Sequence, residues 1–487
     1  MSKVWLVKGM KLLRKSLELE PCELNELDWK EDVSTKSSRL SQHFCAFANL
    51  PGGGYLVFGI NDRTGAVLGI KKDKIDKILG TLSNISRNNI EPSQQIDHSV
   101  EEYRGKSVLI CHIKESALKP VHLRGHTVED TFIRSGGTTR SAVRHEVGEL
   151  FLNSKPFRFE EVNVSKLLGF RDVIQLLDYQ KYAQLLDRPV PKQDDELVEW
   201  LESEKLVTQY SENEFYITNL GALAVARKLK EFDSLYRKTM RIIKYDGLNK
   251  KDTVQEIEIE AGYALAFDEI MKYIKLLVPT SEVIKDAFRT ETSIYPDIAI
   301  RELVANALIH QDFGVRGKGP TVEIYDNRIE ITNPGSLLPN KKIDRLIGTS
   351  PESRNEILAS TFRRLGICEE RGTGLQKTLM HVELFGLPPI HFEQGENYFK
   401  VTLFSPKKYG EMSSKEKIEA CYQHSIIKYL SSLALTNKSL RERFKVSEKQ
   451  RAVVSRIIKS ALDKGLIKSK DPERTSTKFT EYIPYWA

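Results

Sequence analysis

The segment whose residue types are best suited to catalysis or ligand binding covers residues 301–312. It reads Arg-Glu-Leu-Val-Ala-Asn-Ala-Leu-Ile-His-Gln-Asp. On a helix, Glu302, Asn306 and His310 are four residues apart and share one face. An amide oxygen can bind Mg²⁺ without adding negative charge, and a carboxylate one turn earlier can orient or activate a water molecule. The spacing predicts a nucleotide phosphate site, and an ordinary polar helix face is the alternative.

Two glycine-containing turns later in the chain could complete such a site. Asn333-Pro334-Gly335 follows an alternating, strand-like segment at 322–331, and Gly372-Thr373-Gly374 opens a helical pattern. Glycines let backbone N–H groups approach phosphate oxygens at a helix N-terminus, although each turn alone could be purely structural. The sequence contains no Gly-x-x-x-x-Gly-Lys-Ser/Thr segment, which disfavours a P-loop motor or helicase.

A second group of reactive residue types lies near the N-terminus. Glu23, Asp28 and Lys30 are close in sequence, and Asp62 ends a strand-like segment preceded by three glycines. If residues 27–30 are extended, Asp28 and Lys30 point to the same side. Carboxylates with a lysine could hold Mg²⁺ or Mn²⁺ and polarise a phosphodiester, and surface acids near a turn are the alternative.

Basic residues in two regions indicate contact with nucleic acid. Arg134 and Arg140 flank a loop rich in glycine and hydroxyl groups, and Arg144 follows, a composition that suits backbone phosphates. The chain has 74 Lys and Arg against 67 Asp and Glu, and residues 411–487 hold 16 against 9, so the whole excess of +7 lies there. A solvated helical face is the alternative. The tail residues predicted to face nucleic acid are Lys449, Arg451, Arg456 and Lys459.

The elements that must position these residues follow from pattern changes along the chain. At ~150 residues per domain, 487 residues predict about three domains. The fold class is multidomain α/β plus α, with mixed α/β at both candidate sites and a more helical, acidic segment between them. Predicted helices cover 38–50, 194–204, 258–277, 439–444 and 449–464, and predicted strands cover 55–60, 107–113 and 131–134. The predicted domains are 1–152, 153–290, 291–410 and 411–487.

Several protein classes are disfavoured by composition. The five cysteines are scattered and never form Cys-x-x-Cys, which argues against a disulfide framework and a structural zinc site. Cys421 and His424 lack a second ligand pair and are interpreted as core residues. No run of ~18 apolar residues occurs, and lysines interrupt the first residues, so a cytoplasmic protein without a membrane partner is predicted.

The order of the pieces between residues 302 and 374 resembles the GHKL-type ATPase domain of the RecG-related ATP-binding family, and Ser353-Arg354-Asn355 matches a further conventional stretch. The resemblance implies a Bergerat α/β sandwich that binds ATP and Mg²⁺, with Glu302 as general base, Asn306 as Mg²⁺ ligand and Gly372–Gly374 in a lid. The wider superfamily has Asp in the first glycine box, where this chain has Asn333. The implied nucleotide-binding residues are Asn306, His310, Asn333, Gly335, Arg371, Gly372, Thr373 and Gly374.

The region from about residue 20 to 147 resembles the Schlafen AlbA_2 domain, an α+β fold, through its segments 27–30, 46–62 and 132–140. In nuclease members, carboxylates cleave RNA with metal, and Glu23, Asp28 and Asp62 occupy those places. Asp28 is one methylene shorter than the usual Glu, and other members only bind nucleic acid. The tail resembles a winged helix-turn-helix with its wing at 470–478, whose second helix would enter a major groove.

Together these features predict an ATP-binding protein that binds DNA or RNA as a homo-oligomer. In the first hypothesis, nucleotide regulates a Schlafen-like domain that binds and cleaves nucleic acid, with a role in anti-phage host defence suggested by analogy alone. The alternative is an ATP-responsive winged-helix transcriptional regulator without nuclease activity. A structural scaffold with two degenerate sites is the third, disfavoured by the intact Glu302 and Asn306 pair.

Overall fold

The computed structural model describes residues 4–18, 21–33, 37–154, 158–285, 288–348, 352–368, 372–471, 473 and 480–487. The chain divides into two compact units. Unit 1 comprises Met1–Arg158 with Gln209–Phe215, and unit 2 comprises Phe159–Thr208 with Tyr216–Ala487. The finer division into four domains stays a prediction.

Unit 1 has a four-stranded sheet with helices on its faces. Its helices are α1 (Val4–Ser16), α2 (Ser37–Asn49), α3 (Lys72–Asn84) and α4 (Arg144–Leu152). Its strands are β1 (Leu27–Lys30), β2 (Gly54–Phe58), β3 (Ile90–Glu91), β4 (Ile96–Tyr103), β5 (Lys106–Ile113), β6 (His122–Leu123), β7 (Phe132–Ser135) and β8 (Thr138–Ser141). The strand order is β1-β2-β5-β4, in which β1 and β2 are parallel and the other neighbours antiparallel.

Alternation along β2 divides the core of unit 1 into two layers. Leu56 and Phe58 pack in one cluster with Phe47 of α2, whereas Tyr55 and Val57 pack in the other with α1. The first residue of β2 needs to be glycine, because a Cβ on Gly54 would overlap the Phe47 ring. The predicted helix at 38–50 and the predicted strands at 55–60, 107–113 and 131–134 are confirmed as α2, β2, β5 and β7.

Unit 2 contains the remaining helices and a six-stranded sheet. Its helices are α5 (Phe170–Leu176), α6 (Tyr179–Leu185), α7 (Asp194–Ser203), α8 (Asn219–Val225), α9 (Tyr263–Leu277), α10 (Asp297–Ile309), α11 (Glu356–Arg364), α12 (Gly374–Leu384), α13 (Ser414–Leu430), α14 (Asn437–Phe444) and α15 (Arg451–Asp463). Strand β9 is Leu168–Gly169, and β10 (Val207–Ser211) and β11 (Glu214–Ile217) cross the unit boundary. The later strands are β12 (Met240–Asp246), β13 (Asp252–Ile259), β14 (Thr280–Lys285), β15 (Phe288–Ser293), β16 (Thr321–Tyr325), β17 (Arg328–Pro334), β18 (His391–Gln394), β19 (Tyr398–Phe404), β20 (Ile467–Ser469) and β21 (Tyr482–Pro484).

The large sheet has the strand order β13-β12-β16-β17-β19-β18, in which β12 and β16 are parallel and the other neighbours antiparallel. Helix α10 packs on β17 and against α12. The prediction that residues 153–290 are mainly helical is wrong for β12 and β13, which are two strands of this sheet. Alternation in Met240–Asp246 carried the strand signal, with Met240 and Ile242 fully buried.

The basic tail forms three helices and a short strand pair. Helices α14 and α15 correspond to the two predicted tail helices, and α15 buries Val454, Ile457, Ile458 and Ala461. Strands β20 and β21 pair antiparallel, while most of the predicted wing at 470–478 lies outside the described residues. All five cysteines are free. Within the described ranges, no helix combines the length and apolarity that a bilayer crossing requires.

Candidate functional sites

Helix α10 presents the predicted nucleotide residues to one cavity of unit 2. The helix begins at Asp297 after Pro296, and its apolar side, including Leu303 and Val304, is buried. Glu302, Asn306 and His310 all line a cavity of about 520 Å³. Asn333, Gly372 and Gly374 line the same cavity, so most of the predicted set is brought together. Arg371 lies outside the described residues.

The N-terminus of α12 closes against Glu302. A Cβ built on Gly374 would overlap the Glu302 carboxylate, so glycine is needed for this approach. Thr373 is the residue before the helix, and its side chain makes no capping hydrogen bond. Glu302 is only 6% exposed, and its carboxylate lies at the N-terminal end of α12, which is the positive end of the helix dipole. A buried carboxylate held at a fixed place can accept a proton from a bound water molecule.

The first glycine turn has a positioning role. Gly335 has φ +93°, and a Cβ there would overlap Asp312, the second residue after His310. Asp312 N–H donates to the Pro334 carbonyl at 2.8 Å, so the end of β17 and the end of α10 are joined. Asn333 lies buried beside them and donates its amide to the same Pro334 carbonyl at 3.3 Å. Gly335 therefore shapes the cavity without lining it.

Arg354 and Asn355 also fix the end of α10, a role that the sequence interpretation did not assign to them. The Asn355 amide donates to the carbonyls of Ile309 and Gln311 at 2.7 and 2.9 Å. Arg354 Nη1 lies 3.1 Å from Asp312 Oδ2, and Arg354 also lines the cavity. The match of Ser353-Arg354-Asn355 to the RecG-related family marked this stretch in the sequence. It could not show these contacts, because the partner residues are more than 40 positions away.

Cationic side chains surround the His310 end of the cavity. Burial, reinforced by the charges of Arg354 and Lys341, lowers the pKa of His310 to about 4. His310 is therefore neutral at pH 7 and adds no charge to the two cations. Arg354 pairs with Asp312, and Lys341 Nζ lies 3.7 Å from Glu352 Oε2, so an anion at this end of the cavity would meet two cations that acidic neighbours already hold in place.

The predicted N-terminal residues meet around the Lys30 ammonium in unit 1. Lys30 Nζ lies 2.6 Å from Asp28 Oδ1, 3.7 Å from Glu23 Oε1 and 3.8 Å from Asp62 Oδ2. The sequence interpretation missed His43, whose Nδ1 lies 3.1 Å from Asp28 Oδ2. His43 comes from α2 and gave no signal in the sequence, because its place beside β1 depends on the packing of the helix.

The charges of this cluster shift the pKa values of the neighbouring carboxyl groups Asp28 and Glu23 in opposite directions. Burial opposes ionisation of Asp28, but the hydrogen bond and charge of His43 and the charge of Lys30 outweigh it and hold the Asp28 pKa well below its usual range. Burial and the negative charge of Asp28 raise the pKa of Glu23 to about 7. At neutral pH, Asp28 is therefore ionised while Glu23 can gain or lose a proton.

The prediction that Glu23, Asp28 and Asp62 hold Mg²⁺ or Mn²⁺ does not fit this arrangement. Across the described part of the chain, no group of three His, Cys, Asp or Glu is placed to hold a metal ion. The physical reason is that Lys30 already supplies the positive charge among the three carboxylates. The second oxygen of Asp28 is also occupied, by His43 and Arg134.

Replacing Glu23 by Gln is expected to stabilise unit 1 more at pH 8 than at pH 5. The folded state holds the Glu23 proton more tightly than the unfolded state, so wild-type stability falls as pH rises from about 4.5 to 7. Glutamine cannot ionise and escapes that fall. Urea unfolding of both proteins at the two pH values measures the difference, and an equal effect at pH 5 and 8 would show that the Glu23 pKa is not raised.

The prediction that Arg134 contacts nucleic-acid phosphates is wrong. Its side chain is fully buried, with Nη1 3.0 Å from Asp28 Oδ2. It also donates to the carbonyls of Leu24, Asn25 and Gly137, so its guanidinium is used inside unit 1.

The other basic residues predicted to contact nucleic acid lie at the surface. Arg140 is partly exposed and paired with Glu146 at 2.6 Å, and Arg144 is exposed. On the tail, Lys449, Arg451, Arg456 and Lys459 are all exposed. Their contact with nucleic acid stays a prediction.

Comparison with family models finds two matches. Residues 23–143 match the Schlafen AlbA_2 model, and residues 317–403 match the model described as "Putative ATP-dependent DNA helicase recG C-terminal". The resemblances to the Schlafen AlbA_2 domain and to the RecG-related ATP-binding family are thereby confirmed, whereas the winged-helix resemblance of the tail stays a prediction. The second match includes Asn333, Gly335 and Gly372–Gly374, whereas Glu302 and Asn306 precede it.

Among solved structures, the DIP2311 protein from Corynebacterium diphtheriae is 16% identical in sequence. The aligned region covers 98% of this chain and 96% of the DIP2311 chain, with a TM-score of 0.44. The N-terminal domain of a RecG-related protein from Nitrosomonas europaea is 22% identical and covers 28% of this chain and 95% of that chain, with a TM-score of 0.21. No curated protein matched the chain.

Proposed function

We propose that the protein binds Mg-ATP in the unit 2 cavity and that the bound nucleotide controls its contact with nucleic acid. The observation that carries the proposal is that Glu302 and Asn306 of α10 share one cavity with Gly372 and Gly374 at the start of α12. The cavity volume of about 520 Å³ falls in the usual range for small-molecule sites.

The two parts of the cavity wall suit the two parts of a nucleotide. One part is apolar and includes Phe392 and Phe399, whose rings stack at 6.2 Å between centroids, and it suits a base. The other part holds Lys341, Arg354 and the Asn306 amide, and it suits a triphosphate. Asn333 stands where an adenine-reading Asp is usual, so its amide is the candidate for contact with the base.

The chain's own residues divide the work of hydrolysis. Asn306 would hold the Mg²⁺ that accompanies the nucleotide, since its amide makes no hydrogen bond to any other described residue. The metal, when bound, neutralises charge on the phosphates. Glu302 orients the attacking water and takes its proton, and burial beside Gly374 keeps bulk solvent away.

Helix α12 provides a route from the cavity to the basic tail. Its first residue, Gly374, contacts Glu302, and near its other end Glu383 pairs with His424 of α13 at 2.8 Å. Arg443 of α14 lies 3.3 Å from the same carboxylate. Movement of α12 on nucleotide binding would therefore reach α13 and α14, and both of these pack against α15, which carries Arg451, Arg456 and Lys459. This path supports the proposed control of nucleic-acid contact.

Binding of Mg²⁺ with a non-hydrolysable ATP analogue is expected to raise the pKa of His310. Burial is the main cause that holds this pKa at about 4, and the charges of Arg354 and Lys341 add to it. The negative triphosphate would offset those two charges and favour the protonated ring. An NMR titration of the histidine ring protons measures the shift, and a His310→Asn variant assigns the signal. Saturating analogue that leaves the His310 pKa unchanged would place the phosphates elsewhere.

For unit 1, nucleic-acid binding without metal-dependent cleavage is the function that the geometry supports best. Asp28 is already paired with Lys30, His43 and Arg134, and it has no remaining role as a metal ligand. The protein then acts as an ATP-responsive regulator. Action as a homo-oligomer and a role in anti-phage defence stay predictions.

A second candidate function is metal-independent cleavage of RNA or DNA. The specific observation in its favour is Glu23, whose pKa of about 7 suits proton transfer, beside Lys30 and the half-exposed Asp62. Labelled RNA and DNA are incubated in EDTA or in Mn²⁺, with and without ATP. If the wild type cuts in EDTA and Glu23→Gln does not, the nuclease proposal is supported. Footprints without cutting support the regulator. Cutting that occurs only in Mn²⁺ contradicts both the metal-independent nuclease and the regulator.

A further inference from the structure

Helix α1 is an integral part of unit 1, although it precedes the region that matches the Schlafen AlbA_2 model. The Trp5 ring stacks on His112 at 5.7 Å, and the Tyr55 hydroxyl donates to the Trp5 carbonyl at 2.9 Å. Leu13 is fully buried, and a Cβ on Gly9 would collide with the Tyr55 ring. One face of α1 is therefore fixed against the sheet.

The opposite face of α1 carries only positive charge. Lys8, Lys11, Arg14 and Lys15 are exposed, and none of them forms an ion pair with another described residue. The helix contains no Asp or Glu, and the nearest acid in sequence is Glu18, just beyond its end. At 100° per residue, Lys8, Lys11 and Lys15 lie within a stripe about 60° wide and about 10 Å long.

Helix α3 shows how an ordinary solvated helix of this unit is built. It also has 13 residues and exposes Lys72, Lys74 and Lys77, but Asp73 and Asp76 lie between them. Its Lys74 additionally pairs with Asp32 at 2.6 Å. The unbalanced charge of α1 is thus a local feature, and it favours the approach of an anionic partner.

The burial pattern identifies the class of anion. A helix that lies in a membrane surface inserts its large apolar residues into the lipid. In α1, Trp5 and Leu13 are buried in the core of unit 1, and Val4 and Val7 are the only large apolar residues of the helix that are exposed. A stripe of about 10 Å that lies along the axis of a duplex passes about three phosphates of each strand.

We propose that the outer face of α1 is a second, sequence-independent contact surface for the phosphate backbone of nucleic acid. It rests on the proposed binding of nucleic acid by this protein and names a surface that neither the tail nor the Glu23 cluster includes. Its contribution is affinity without base recognition, because lysines on phosphates carry no sequence information.

The test is a fluorescence anisotropy titration of the full chain with a labelled 20-base-pair DNA and a labelled single-stranded RNA of mixed sequence, between 50 and 300 mM KCl. Lys8, Lys11 and Lys15 are replaced together by Gln. The matched control replaces Lys71, Lys72 and Lys77, three exposed lysines at α3, by Gln. All six side chains are exposed, and thermal unfolding verifies that both variants fold as the wild type does.

The α1 variant is expected to lower the slope of log affinity against log salt by about 2 to 3, equally for different sequences, while the α3 control keeps the wild-type slope. Wild-type slope and affinity in the α1 variant would overturn the proposal and leave nucleic-acid binding intact. If the wild type binds neither the DNA nor the RNA, both the α1 surface and the proposed binding of nucleic acid by the protein are overturned. Lysine-dependent sedimentation with phosphatidylserine vesicles, with unchanged nucleic-acid affinity, would assign α1 to membranes instead.

Discussion

Replacing Glu302 by Gln is expected to reduce ATP hydrolysis by a factor of about 10² to 10⁴, the usual contribution of a general base. The amide is nearly the same size as the carboxylate and fits beside Gly374, but it cannot accept a proton from water. Nucleotide affinity is expected to stay within a few-fold of the wild type, because Asn306, Lys341 and Arg354 are unchanged. Steady-state phosphate release and binding of a non-hydrolysable analogue measure the two effects.

The matched control is Glu356→Gln, the same chemical change on an exposed residue of the same cavity. This variant should hydrolyse ATP at close to the wild-type rate. Hydrolysis that survives in Glu302→Gln would remove Glu302 from the role of base. Loss in both variants would indicate that the overall charge of the cavity, and not one carboxylate, sets the rate.

Replacing Arg134 by Ala is expected to destabilise unit 1 by about 3 to 5 kcal/mol, the cost of breaking a buried ion pair from one side. The change leaves Asp28 buried with one cation fewer and removes the donor to the carbonyls of Leu24 and Gly137. It also removes the guanidinium that lies 4.8 Å from the centre of the Phe47 ring. Urea unfolding monitored by tryptophan fluorescence of unit 1 measures the loss.

Arg140→Ala is the control for this change, because Arg140 is a partly exposed arginine of the same hairpin whose pair with Glu146 is screened by solvent. It should leave unfolding almost unchanged. If Arg134→Ala unfolds like the wild type but binds nucleic acid more weakly, the arginine acts on phosphates after all and the structural role assigned to it fails.

The local parts of both sites could be predicted from sequence. The four-residue spacing of Glu302, Asn306 and His310 depends only on helix geometry, and α10 with the residue after it has that geometry. The meeting of Asp28 and Lys30 likewise needs only an extended β1, which the structure contains. Such predictions succeed because neighbours in sequence determine the distances.

The remaining features depend on tertiary packing. The edge strand β13 is largely exposed and rich in charged residues, so its composition resembled a solvated helix. Arg134 occurs in a glycine-rich basic loop, yet its partner Asp28 is 106 residues away and buries it. The sequence shows that an arginine is present in a basic loop. Whether that arginine binds a phosphate or a buried carboxylate depends on tertiary packing.

The measurement that tests the central proposal most directly is isothermal titration calorimetry of the full chain with Mg-ATP, next to Asn306→Ala. We expect saturable binding at one site per chain, about tenfold weaker in the variant, a loss of about 1.4 kcal/mol. In EDTA the two proteins should bind ATP with equal affinity, since the amide acts through the metal. Folded wild-type protein that gives no saturable heat with Mg-ATP would contradict the account.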